Sequence, residues 1–160
     1  MINEQNFPAF DYFMSGYMCE DSDHAEQLKE FILSESKEIV NDIAEEAARL
    51  MKYDEYELQA FIKRSFGRKI DANSIKGFLK DIMLGECFLI KNAINKFKDR
   101  QIGLTELQKW FSTLPLSEVI DRKQIGELEN RLEMIRFCET AERQYSEVMK
   151  AVGIVLEKLQ

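Results

Sequence analysis

The chain has 160 residues, of which 45% are apolar and 32% charged, the balance of a folded protein of one domain or two small lobes rather than a disordered one. Acids outnumber bases 29 to 22, so the net charge is −7, which removes the basic footprint that direct nucleic-acid binding needs. No apolar run approaches the ~20 residues needed to cross a bilayer. The first residues lack the basic start and apolar stretch of a signal peptide, so a cytoplasmic location is expected. Cys19, Cys87 and Cys138 are odd in number and widely spaced; neither a disulfide framework nor a zinc ribbon fits. Each is expected reduced, in or near the core.

Apolar spacing is helical nearly throughout, and no stretch alternates like a strand. Phe7 to Met14 reads as a short aromatic helix ending before Gly16, with Pro8 in its first turn. Asp23 and Glu26 form a capping-box pattern ahead of Leu28, Phe31 and Ile32. Ser34 or Ser36 caps the next helix, whose stripe is Ile39, Val40, Ile43, Ala47, Leu50 and Met51. Its other face carries Glu38, Asp42, Glu45 and Glu46. Asp54 and Glu57 repeat the capping box before Leu58, Phe61 and Ile62, and Gly67 stops that helix. Asp71 or Asn73 opens another, with Ile75, Phe78, Leu79 and Ile82 inward and Gly85 at its end.

A helix with Phe88, Leu89, Ile90, Ala93, Ile94 and Phe97 follows and ends near Gly103. Thr105 and Gln108 cap a short helix bearing Leu107, Trp110 and Phe111. Pro115 breaks the chain, and Ser117 opens a brief turn with Val119 and Ile120. From Arg122 to Leu159 one straight helix would reach roughly 57 Å, too long for a chain of this size. A break near Phe137–Thr140 is therefore expected. The predicted fold is all-α, a compact two-lobed bundle of about 8–10 helices without sheet, divided into residues 1–85 and 86–160.

Charge is unevenly spread. Residues 1–57 hold 15 acids against Lys29, Lys37, Arg49 and Lys52, or −11, whereas 58–85 swing to +4 with 6 bases and 2 acids. Such a lobe suits a basic protein partner; on charge alone, plain solubility is the favoured account.

The search for chemistry returns little. Cys19, Asp21, Asp23 and His24 are bunched, and the calcium-loop likeness of Asp21 to Glu26 fails where Ile32 stands in place of the closing acid. His24 is the only histidine, and no nucleophile elbow or phosphate-binding glycine loop occurs. An enzyme, a metal and a cofactor are not expected. Tyr12 and Tyr17 have phenols that want a wet end, and Tyr53 and Tyr56 flank the acidic pair Asp54-Glu55, the composition of a protein-binding surface. Half-burial at helix ends is the alternative for each.

The pattern from Phe7 to Ile82 is similar to the all-helical immunity proteins of contact-dependent growth inhibition systems. The matching residues are Phe7-Pro8, Tyr12-Phe13, Gly16-Tyr17 with Asp21, Glu30-Phe31-Ile32, Ser34-Glu35-Ser36, and Glu45-Glu46 with Leu50-Met51. Asp54-Glu55-Tyr56-Glu57-Leu58 and Ser74 to Ile82 complete them. Where that family tends to have a phenylalanine, a histidine and a tryptophan around its aspartate, this chain has Met18, Cys19 and Ser22. The resemblance implies a cytoplasmic protein that binds a toxin domain, often a basic nuclease, and blocks its active site or substrate surface. A monomer in a 1:1 complex is expected, with no direct contact to nucleic acid or membrane. Candidate contact residues are Tyr17, Glu20, Asp21, Asp23, Glu26, Asp54, Glu55 and Tyr56, with Tyr17 and Tyr56 as anchors. The rival reading is a helical adaptor or homodimer, which requires the apolar stripe of residues 141–159 to be exposed.

Overall fold

The computed structural model describes residues 1–18, 23–113 and 122–159. Over these residues the protein is all-α, with a 3₁₀ turn at Glu4–Asn6, nine helices and no strand. The helices are α1 (Pro8–Gly16), α2 (His24–Ser34), α3 (Lys37–Leu50), α4 (Glu55–Phe66), α5 (Ala72–Met83), α6 (Cys87–Lys98), α7 (Leu104–Thr113), α8 (Arg122–Cys138) and α9 (Ala141–Leu159). The chain divides into two compact units, Met1–Phe88 and Leu89–Gln160. Pro115 and the expected turn at Ser117, with Val119 and Ile120, lie outside the described residues. Among those described, no helix is long and apolar enough to cross a membrane.

In the first unit the caps are local chemistry. Asp23 accepts from the Ala25 N–H at 3.0 Å, Ser36 from Ile39 at 3.3 Å, Asp54 from Glu57 at 2.8 Å and Asp71 from Asn73 at 3.3 Å. Each satisfies one donor that the first helical turn leaves orphaned. Gly67 ends α4 at φ +65°, a left-handed backbone that a Cβ disfavours. The core is aromatic: Phe13 meets Phe31 edge-on at 5.0 Å, and Phe61 meets Phe66 at 5.5 Å. Val40, Ile43, Ala47 and Leu50 bury the stripe of α3, on which α1, α2 and α5 pack. Each buried Phe or Leu side chain contributes about 1.5–3 kcal/mol of transfer energy.

The basic swing at 58–85 is used on main-chain carbonyls. Arg64 donates to the Ile2 carbonyl at 2.6 Å, Arg68 to that of Met18 at 2.8 Å and Lys76 to that of Met51 at 2.9 Å. Arg64, Arg68 and Lys76 thus bond backbone carbonyls, and Arg64 also attracts the Glu4 carboxylate.

In the second unit α8 stops at Cys138 and α9 starts at Ala141, within the interval where length demands a break. α8 packs on both α7 and α9. Glu147 of α9 collects three cations, Lys150 at 3.2 Å, Arg131 of α8 at 3.5 Å and Arg143 at 3.9 Å. The turn after α6 holds Arg100 at φ +60°, where Gln101 N–H bonds the Lys96 carbonyl and Arg100 N–H bonds that of Phe97. This is the Schellman pattern with an arginine in the place usually held by glycine. The Arg100 guanidinium lies 4.1 Å from the centre of the Tyr145 ring.

Three expectations need correcting. Cys138 is exposed at the end of α8, whereas Cys87 is buried; Cys19 lies outside the described residues. α7 begins at Leu104, so Thr105 is inside the first turn and not its cap. Glu46, read as part of the solvated acidic face, is buried with 4% exposure.

Candidate interaction surface

The buried Glu46 explains how α1 starts. Phe7 stands at the cap position and offers no side-chain acceptor, and Pro8 has no N–H. The first orphan donor is the Ala9 N–H, and it bonds both Glu46 carboxylate oxygens, at 2.9 and 3.0 Å. A carboxylate from α3 thus caps α1 across the fold and meets the positive end of its dipole. Burial pushes the Glu46 pKa above the ordinary carboxylate value of 4.5, opposed by the Ala9 bond and by Arg49.

A second carboxylate organises the other end of α1. The hydroxyls of Tyr12 and Tyr17 both donate to Glu35 Oε1, at 2.8 and 2.5 Å. Tyr17 is half-buried and edge-on to Phe31 at 5.0 Å. Its hydrogen bond to Glu35, with burial, pushes the phenol pKa up to about 12. The same two bonds, Tyr17 first, hold the Glu35 carboxyl below the ordinary range.

The proposed contact residues fall into two turns. Asp23 is exposed and caps α2, with Glu26 half-buried in the first turn. Glu20 and Asp21 lie outside the described residues. Asp54 is exposed and caps α4, Glu55 is half-buried beside it, and Tyr56 is 76% exposed. α2 packs on α3 whereas α4 packs on α5, so the two turns are carried by helices with different neighbours. Among the described residues no three His, Cys, Asp or Glu side chains converge as a metal would require. The His24 ring lies against Phe78, 5.4 Å between centres.

Sequence reasoning missed a groove between α1 and α3, of about 450 Å³. Pro8 and the 48%-exposed ring of Tyr12 form one wall, and Ile39, Asp42 and Glu45 form the other. Glu46 and Arg49 close it, and the Arg49 guanidinium lies 4.9 Å from the centre of the Phe7 ring. Asp42 and Glu45 are exposed and make no hydrogen bond or ion pair among the described residues. The signal was present in two halves, a phenol on α1 and an acidic face on α3. Only packing joins them.

No protein-family model matches the chain, and comparison with curated proteins and with solved structures gives no match either.

Proposed function

We propose that this protein is an immunity protein, which binds a cognate contact-dependent growth inhibition toxin domain in the cytoplasm and neutralises it. The partner we infer is a basic nuclease, covered at its active site or its substrate surface in a 1:1 complex, without catalysis, metal or cofactor. The observation that carries the reading is the acidic exposed face of α3. Glu38, Asp42 and Glu45 are exposed along α3 without ion-pair partners among the described residues. A nuclease must be basic to hold its substrate, and an acidic inhibitor competes with the phosphate field on the same surface. The exposed Tyr56 beside Asp54 and Glu55 supplies the aromatic contact that slows dissociation. The adaptor reading is disfavoured by α9, which buries Val148, Val152, Val155 and Leu159 within the single chain.

The test is co-expression. The C-terminal domain of a large secreted protein encoded next to this gene, where one is found, is produced in cells with and without the protein. Restored growth and a 1:1 mass in solution support the reading. Continued arrest at equal expression, or a tight homodimer without toxin binding, sinks it.

A further inference from the structure

We propose that the α1/α3 groove is the seat for an arginine side chain presented by the basic protein partner, a contact that deepens the reading above and rests on it. The groove is built for a long cation with an apolar stem. Pro8 and Ile39 line it with apolar surface for the methylenes. The Tyr12 ring offers a π-face, and its hydroxyl is tied to Glu35 at 2.8 Å, so the ring is already oriented. Asp42 and Glu45 stand on the facing wall, exposed and without ion-pair partners among the described residues. The N-terminus of α1, which would repel a cation, is neutralised by Glu46 on the Ala9 N–H.

The protein displays the same mode of binding with its own residue. Arg49 lies over the Phe7 ring at 4.9 Å and favours the ionised form of Glu46. A second guanidinium between Tyr12 and the Asp42–Glu45 wall repeats that arrangement one helical turn away. A planar guanidinium suits it better than an ammonium, because it stacks on the ring and bonds a carboxylate at once. Charge complementarity fixes the occupant. An acidic or apolar segment would leave two carboxylates facing it unpaired.

The test uses the whole protein and a tetra-arginine peptide, with tetra-lysine as the comparison, followed by amide NMR at low and physiological salt. The expected result is that Ala9, Tyr12, Ile39 and Glu45 move most, and that tetra-arginine binds more tightly than tetra-lysine. Asp42→Lys with Glu45→Lys should then weaken binding about tenfold or more. Glu142→Lys with Glu157→Lys makes the same charge change at exposed positions of α9 and should weaken it less than about threefold. Tyr12→Leu should remove the preference for arginine; melting curves show that each variant is folded. Equal losses for the two double variants, or shifts centred on residues 54–57, overturn the groove. The two readings fail separately. A groove that takes the peptide while the protein leaves the toxin active sinks the immunity reading alone. Toxin neutralisation that survives the Asp42/Glu45 reversal unchanged sinks the groove alone.

Discussion

At the scale of single residues the carboxylates divide by environment. Glu46 is raised above its ordinary value by burial, so the fold binds an extra proton there. Its contribution is complete below pH 4.5 and is lost as pH rises through the folded value. Glu46→Gln keeps an acceptor for Ala9 but cannot titrate. Wild type should therefore gain stability over that variant on acidification from pH 7 to 4, read from urea midpoints at both. A pH-independent difference counts against this account. Glu46→Ala leaves the Ala9 N–H unsatisfied and should cost about 1–3 kcal/mol at pH 7, and more on acidification. Glu35 has the opposite sign: its pKa is lowered, so its contribution is present above the ordinary value and lost as pH falls through the folded one. Tyr17→Phe should move the Glu35 titration back up further than Tyr12→Phe does, by carboxyl NMR. Glu46 was legible in part. It follows Ile39 by seven and Ile43 by three, inside the apolar stripe rather than opposite it. Glu35 was not, because its partners come from a different helix and no local pattern joins them.

At the scale of elements, what is local was readable. Asp23, Ser36, Asp54 and Asp71 cap the helices that their spacing announced, because a cap bonds a donor two or three residues away. The α8–α9 break followed from length alone. Thr105 misled because α7 starts one residue earlier, and a threonine pattern does not distinguish a cap from a first-turn residue. Arg100 had no signal, since nothing in its neighbours forces an arginine to φ +60°. The left-handed backbone costs about 1–2 kcal/mol, and the Tyr145 contact returns about 0.5–1 kcal/mol. Arg100→Gly should be near neutral, whereas Arg100→Ala keeps the strain and loses the ring contact. Chemical denaturation should rank glycine above alanine by about 1 kcal/mol. The reverse order would mean that the guanidinium, not the backbone, dominates the turn.

At the scale of the molecule, charge is handled differently in the two units. Glu147 gathers Arg131, Arg143 and Lys150 in the second, while Glu38, Asp42 and Glu45 of α3 have no ion-pair partner among the described residues. Unpaired charges act at a distance and are screened within about 10 Å at 0.1 M salt. Reversing Asp23 and Glu55 to lysine should slow toxin association and flatten its salt dependence. Tyr56→Ala should instead speed dissociation, at a cost of about 2 kcal/mol if the ring is an anchor. Stopped-flow kinetics at two ionic strengths separates the two effects.

Glu38, Asp42 and Glu45 also stand about one turn apart along α3, like charges without an ion-pair partner among the described residues. Asp42→Lys would set a lysine four residues after Glu38, the favourable order for a helical ion pair worth about 0.3–0.5 kcal/mol. That variant should melt slightly higher than wild type in low salt and, on the immunity reading proposed above, should neutralise toxin less well. On that same reading, a screen for heat tolerance would enrich for variants that protect less well.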